Sequence, residues 1–192
     1  MNNTKIILIG GVNGSGKTTI AKALAKELKV PHRLGIGFMR EAIRSFVPKE
    51  EEPLLYCHSF KAFEITGGTI EHGFREQTKL LSLPINSCIN RAQKEGTGLI
   101  LDGTQLLPEF IPKDILLVFL FPDKKCDHYS RIHGKDTHSK RQVSKDEFNG
   151  IKQVEKYLRK EAKQHNVPII FNQNVDKTVK EIVQLWREKN DS

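Results

Sequence analysis

Eight consecutive residues, Gly11-Val12-Asn13-Gly14-Ser15-Gly16-Lys17-Thr18, follow the spacing G-x-x-x-x-G-K-T. Glycines at these positions permit backbone angles and close approaches that a Cβ forbids. Successive N–H groups can then curl around phosphate oxygens, helped by the partial positive charge at the start of the following helix. Lys17 is placed to reach β- and γ-phosphates, and the Thr18 hydroxyl to ligate Mg²⁺. The candidate nucleotide-binding residues are therefore Gly11, Asn13, Gly14, Ser15, Gly16, Lys17, Thr18 and Thr19.

Asp102 ends a second apolar run, Leu99-Ile100-Leu101, in the pattern of a carboxylate that holds Mg²⁺ or its waters opposite the P-loop threonine. Thr18 and Asp102 are the candidate metal ligands. Arg131, His133, Lys135, His138, Lys140 and Arg141 crowd one polar stretch. Of these, Arg131 and Arg141 are the candidate catalytic cations, because guanidinium pairs phosphate oxygens bidentately. The histidines and lysines are read as solvated. Arg40 and Arg44 stand four apart on one helical face, where two guanidinium groups can grip an acceptor's phosphate or carboxylate. Asn172-Gln173-Asn174-Val175 does not match the Asn-Lys-x-Asp signature of guanine recognition, which leaves ATP favoured by default over GTP.

Positioning these groups requires a scaffold, and the apolar runs supply one. Five β-type runs are legible: Lys5–Ile9, a weak one at Arg33–Ile36, Gly98–Asp102, Ile115–Phe121 and Pro168–Phe171. Helical patterns separate them, so the expected fold is α/β: a P-loop NTPase fold with a five-stranded parallel sheet and helices on both faces. Ligand sites in such sheets form beyond the carboxyl ends of the strands. Phe38 to Glu95 reads as several helices broken near Pro48, Pro53, Gly67-Gly68 and Pro84, a helical acceptor-binding insert over 38–95. Lys124 to Ser144 reads as a lid. The last helix, Val175 to Lys189, carries a core stripe at Val179, Ile182, Val183 and Trp186. Asp123 and Asp127 read as helix-start residues.

The 192 residues suit one domain over 1–192, and 38% hydrophobic content suits a globular chain with a sizeable core. A net charge of +8 favours anionic partners, either nucleotide with a small anionic metabolite or nucleic acid. No basic patch is interleaved with aromatic residues of the kind that stack bases, so nucleic acid is permitted but not favoured. Cys57, Cys88 and Cys126 are odd in number and lack metal-ligand spacing, consistent with reduced thiols in a cytoplasmic setting. The chain runs almost at once into a strand, which leaves no room for a signal peptide. No apolar run approaches the ~20 residues of a membrane span.

Several stretches together resemble the 2-phosphoglycerate kinase family of P-loop kinases. Met39-Arg40-Glu41-Ala42-Ile43-Arg44 is similar to that family's I-R-E-[VL]-[LM]-R, and Cys57-His58-Ser59-Phe60-Lys61-Ala62 to its S-S-[YF]-x-A. Gly73-Phe74-Arg75-Glu76-Gln77 resembles G-[FY]-x-x-Q. Ala92-Gln93-Lys94-Glu95-Gly96 with Leu99 to Pro108 resembles R-A-x-x-E-G-x-x-L-I-L-E-G-V-H-L-V-P. Gly150 to Leu158 and Val167-Pro168-Ile169-Ile170 resemble its closing segments. The resemblance implies an acceptor pocket to which His72, Arg75, Gln77 and Gln105 contribute. It also exposes departures. Ile36-Gly37 stands where the family usually carries Thr-Asp, a carboxylate expected to orient or deprotonate the acceptor. The family's Glu and His in E-G-V-H become Asp102 and Gln105.

The resulting expectation is an ATP- and Mg²⁺-dependent phosphotransferase acting on an alcohol group of a small anionic metabolite. Lys17, Arg131 and Arg141 would neutralise charge, and Arg40 with Arg44 would hold the acceptor. Alternatives are a kinase acting on a nucleotide or RNA hydroxyl, and a nucleotide-binding module impaired in transfer by Gly37.

Overall fold

The computed structural model describes residues 4–123, 128–133 and 143–191. Five strands, β1 (Ile6–Gly10), β2 (His32–Gly35), β3 (Leu99–Asp102), β4 (Leu116–Pro122) and β5 (Ile169–Asn172), form one parallel sheet in the order β2-β3-β1-β4-β5. Every residue of β1, β3 and β4 is buried, as a sheet covered on both faces requires. The edge strand β2 alternates exposed and half-buried residues, which is why its apolar signal is weak. The five expected runs and the expected parallel α/β fold are the observed ones.

Helices α1 (Lys17–Leu28), α2 (Ile36–Arg44), α3 (Phe63–Thr66), α4 (Ile70–Glu95), α5 (His128–His133), α6 (Lys145–Gln164) and α7 (Val175–Asp191) supply the covering layers, with 3₁₀ turns at Pro53–Leu55, Ser59–Lys61 and Pro108–Phe110. Successive strand residues point to opposite faces, so the sheet builds two cores. On one side Ile7, Ile9, Ile100 and Val118 pack with Ile20 and Leu24 of α1 and with Val179, Ile182, Val183 and Trp186 of α7. On the other, Leu8, Leu101, Phe119 and Phe121 pack with Phe74, Leu81, Ile85 and Ile89 of α4 and with Val154 and Leu158 of α6.

Local signals mark two of the helix ends, and the break expected at Gly67-Gly68 is one of them. Gly67 and Gly68, at φ 73° and 78°, separate α3 from α4, and Thr69 caps α4 by accepting from the His72 N–H. Ser144 and Glu147 form a reciprocal capping box at the start of α6. Pro84 departs from expectation: it lies inside the 26-residue α4 and does not break it. A mid-helix proline costs ~3 kcal/mol. Burial of Leu81, Ile85 and Ile89 on either side contributes roughly 1.5–3 kcal/mol each, which outweighs that cost. No helix among the described residues is long and apolar enough to cross a membrane.

Register sets up the site. Gly10, the last residue of β1, leads directly into the glycine-rich loop. Ile9 pairs with Asp102 across the sheet, and Asp102 pairs in turn with Gly35 of β2. The carboxyl ends of β1, β2 and β3 therefore deliver the loop, the start of α2 and one carboxylate to a single edge.

Candidate active site

The loop between β1 and α1 is shaped as an anion cradle. Gly11 and Gly16 take φ of 136° and 89°, in the left-handed half of backbone space that disfavours side chains. A Cβ on Gly11 would overlap the Leu120 carbonyl oxygen, and one on Gly16 would overlap the Asn172 amide. Asn172 supports the loop directly, its Nδ2 donating to Ser15 O at 3.0 Å. Ser15 Oγ is buried with no hydrogen-bond partner among the described residues. An unsatisfied buried hydroxyl is rare enough to mark a site built for a further acceptor or donor. The cradle and this orphaned group fit a nucleotide's phosphates.

Lys17 opens α1, and its Nζ donates to Val12 O at 2.7 Å, folding the side chain back over the loop. Burial pulls its ammonium down to a pKa of about 8, with Asp102 pulling the other way. A phosphate anion arriving here would restore the charge. Thr18 Oγ1 donates to Asp102 Oδ2 at 2.8 Å, and Arg33 Nη1 meets Asp102 Oδ1 at 3.2 Å. Asp102 is only 5% exposed, so its carboxylate is desolvated and held by both partners. Thr18 and Asp102 form a pair of hard oxygen donors, suited to a small divalent cation that keeps several waters. Thr19 follows on the exposed side of α1.

A cleft of about 440 Å³ opens beside this cluster. Lys17, Thr18 and Asp102 form one wall, Gly37 and Arg40 of α2 another, and His58 and Ser59 a third, with Asn13, Thr104 and Gln105 also on the lining. Arg40 Nη1 donates to Cys57 O at 3.1 Å, which ties α2 to the turn that carries His58. Gln105 Nε2 donates to Gln77 Oε1 at 2.9 Å, while Gln77 Nε2 donates to Leu54 O at 2.8 Å and Cys57 O at 3.1 Å. Gln77 is fully buried, so its place is behind the wall rather than on it.

The remaining residues singled out from sequence divide plainly. Arg44 reaches the cleft edge, but its Nε and Nη2 donate to Leu55 O at 2.8 and 2.6 Å, its Nη1 pairs with Glu41 at 2.6 Å, and it stacks over the Tyr56 ring. Arg75 pairs with Glu109 at 2.7 Å and lies over the Phe110 ring, and His72 sits beside Gly68; neither lines the cleft. Arg131 is on the nucleotide side, its Nη2 3.4 Å from Asn172 O. Arg141, Lys135, His138, Lys140, Asp127 and Cys126 lie outside the described residues, as does most of the stretch read as a lid. Asp123 follows β4 directly.

Three groups at the site were not singled out. Arg33 sits on the weak edge strand, and its partnership with Asp102 depends on a sheet register that no local pattern encodes. Asn172 shows in the sequence only as the start of a stretch that fails the guanine signature, and its contact with Ser15 O joins residues 157 apart. His128 packs under the loop with Nε2 2.6 Å from Asn13 O and Nδ1 3.6 Å from Glu155 Oε2. Burial holds His128 below its ordinary range, leaving a neutral ring that donates from Nε2. Burial would push Glu155 up, but hydrogen bonds from Lys152 at 2.6 Å and Arg159 at 2.7 Å win and keep it low and charged.

The chain matches no known family profile. It is 32% identical over 194 residues to a 2-phosphoglycerate kinase of Pyrococcus furiosus, covering 96% of this chain and 64% of that protein. A 2-phosphoglycerate kinase of Methanococcus maripaludis is 30% identical over 203 residues, with 96% and 65% covered. The chain thus spans just under two thirds of the length of these curated relatives. Among solved structures, a sugar kinase from Janibacter superposes with a TM-score of 0.63 at 14% identity, covering 96% of this chain and 95% of that one. A shikimate kinase from Acinetobacter baumannii superposes with a TM-score of 0.57 at 18% identity, covering 95% and 92%. These structures share the fold, a P-loop kinase architecture. Similarity across nearly its whole length makes this chain a homologue of the proteins named 2-phosphoglycerate kinase, and its fold is the one shared with P-loop kinases.

Proposed function

We propose that the chain is an ATP- and Mg²⁺-dependent kinase that transfers a γ-phosphoryl group to a hydroxyl of a small anionic metabolite, of the 2-phosphoglycerate class. The observation that carries this is the shared cleft, where Lys17, the Thr18–Asp102 pair and Arg40 converge on one space beyond the strand ends. Phosphoryl transfer needs positioning and charge stabilisation more than covalent chemistry. The loop N–H groups and Ser15 would hold phosphate oxygens, and Lys17 would counter charge on the β- and γ-groups. Thr18 and Asp102 would hold Mg²⁺, which when bound supplies charge neutralisation on the phosphate oxygens. Arg40 would receive the acceptor's anionic group, with Gln105 donating or accepting beside it and Gln77 fixing Gln105 in place. Arg131 would approach the phosphates from the β5 side, and Arg141 would be a second catalytic cation.

On the same reading, residues 38–95 act as an acceptor-binding insert and 124–144 as a lid, within one kinase domain, and the protein works in the cytoplasm. A coupled ADP-release assay over a panel of phosphorylated acids, with 2-phosphoglycerate included, tests the proposal. ATP binding without acceptor-stimulated turnover would instead favour a nucleotide-binding module. Gly37 motivates that second reading, since it places no side chain in the cleft where a carboxylate has room.

A further inference from the structure

The phosphate loop is held from a second side, by α5. His128 opens that helix, is 7% exposed, and brings Nε2 to 2.6 Å from the Asn13 carbonyl oxygen across 115 positions of sequence. Ile132, one turn along the same helix face, meets the loop at Gly14. A Cβ on Gly14 would stand 2.7 Å from Ile132 Cγ1 and 3.2 Å from the His128 ring, so the glycine here, with φ 78°, is what lets α5 seat. Asn13 also lies on the cleft lining with Lys17 and Thr18, and Thr104 Oγ1 stands 3.5 Å from its Oδ1. Neither His128 nor Ile132 lines that cleft.

A neutral imidazole donates from one nitrogen only. A carbonyl oxygen can only accept, so at 2.6 Å the hydrogen belongs on Nε2. Nδ1 is buried without a hydrogen-bond partner among the described residues, and Glu155 Oε2, at 3.6 Å, is beyond hydrogen-bond reach. That carboxylate is taken up by Lys152 at 2.6 Å and Arg159 at 2.7 Å. The charged groups facing the ring are Glu155 and Lys152 of α6 and Arg131 of its own helix, with Arg159 behind Glu155. Phe148 of α6 packs edge-on against it, with ring centroids 5.4 Å apart. The ring thus has one N–H to give, and gives it to one backbone carbonyl.

The Asn13–Gly14 peptide is trans and planar, so its N–H points opposite to its carbonyl. With the carbonyl turned onto His128, the Gly14 N–H is directed away from α5. We propose, resting on the reading of this loop as a phosphate cradle, that His128 is a positioning residue, which holds the Asn13 carbonyl and thereby aims the Gly14 N–H at the nucleotide's phosphates. The histidine itself touches no substrate atom. Its contribution is preorganisation: the peptide is fixed before the ligand arrives, so binding does not have to reorient the amide. The same contact ties the segment after β4 to the loop after β1, which makes α5 and the loop one packed unit.

Two measurements test this. Long-range nitrogen–proton NMR of the ligand-free wild type reads the tautomer and needs no variant. A hydrogen on His128 Nε2 is expected, and an unprotonated Nε2 overturns the proposal. Calorimetry with ADP then compares wild type, His128→Met and His128→Gln, with urea midpoints as a check on folding. His128→Met removes the donor and is expected to weaken ADP binding at least tenfold, about the loss of one hydrogen bond to a charged group. His128→Gln offers an amide N–H in place of Nε2 and is expected to return to within threefold of wild type. A His128→Met variant within threefold of wild type overturns the proposal. So does a His128→Gln variant no tighter than His128→Met, which would assign the loss to packing. If wild type binds no ADP, the phosphate-cradle reading fails on that arm alone. The Gly14 amide resonance then decides the role of His128. A shift in His128→Met that His128→Gln restores supports the hold on this peptide, and an unmoved resonance overturns it.

Discussion

The Thr18 hydroxyl donates to Asp102 Oδ2 at 2.8 Å, joining the first turn of α1 to the last residue of β3, 84 positions apart in sequence. Arg33 occupies the other oxygen of the same carboxylate at 3.2 Å. A cation entering between Thr18 and Asp102 must compete with that guanidinium for one desolvated carboxylate.

Arg33→Met is accordingly expected to lower the Mg²⁺ concentration needed for half-maximal tightening of ADP binding by several-fold. Asp102→Asn should abolish that tightening while leaving metal-free ADP binding nearly intact. Mn²⁺ electron paramagnetic resonance titration, with and without ADP, reads both effects directly. Equal metal dependence in wild type and Arg33→Met would show that the ion pair does not oppose the metal.

Lys17 makes nucleotide affinity depend on pH. Without nucleotide its pKa is about 8, lowered mainly by burial. Phosphate favours the charged form, so binding takes up a proton above that pH. ATP affinity is expected to fall as pH rises through 8, approaching tenfold per unit, and Lys17→Met should flatten the profile. For the nucleotide-free protein the sign runs the other way. Between about 8 and the ordinary ~10.4, the unfolded chain holds more protons at this site, so the Lys17 contribution to stability rises with pH across that window. Calorimetry in buffers of different ionisation enthalpy measures the proton uptake.

Gln77 is a support whose loss should be felt twice. Gln77→Leu strips the Leu54 and Cys57 carbonyls and Gln105 Nε2 of a buried partner. Unsatisfied buried groups cost about 1–3 kcal/mol, so urea midpoints should drop accordingly. The acceptor KM should rise more than the ATP KM, because the turn carrying His58 loosens while the phosphate loop does not.

Gly37→Asp is expected to stabilise the fold. The site has space for the side chain, and the residue sits in the first turn of α2, where glycine costs about 1 kcal/mol against alanine and an acid favours the helix dipole by about 0.3–1 kcal/mol. A higher thermal midpoint checks this; a lower one would mean that the start of α2 is more crowded than its geometry indicates.

The parallel sheet and the phosphate loop were legible because their signals are local: apolar runs of strand length, a motif in register with them, and a core stripe on α7. Pro84 misled because the packing that overrides it comes from Phe119, Leu117 and other residues distant in sequence. Arg33 and Asn172 escaped notice for the same reason, since a strand residue's partner is fixed by register between strands. Arg40 and Arg44, equivalent by their four-residue spacing, are both held from outside α2, Arg40 by the Cys57 carbonyl and Arg44 by the Leu55 carbonyl and the Tyr56 ring. His58, with no periodic pattern around it, acquired its place only when the Pro53–Leu55 and Ser59–Lys61 turns folded against α2.

The most direct test is phosphorus NMR of the chain incubated with Mg·ATP and 2-phosphoglycerate. The account predicts equimolar ADP and a bisphosphorylated acid with a second phosphomonoester resonance, both absent with Lys17→Met. Persistent ATP and a single unchanged phosphomonoester signal, under conditions where calorimetry shows ATP bound, would contradict it.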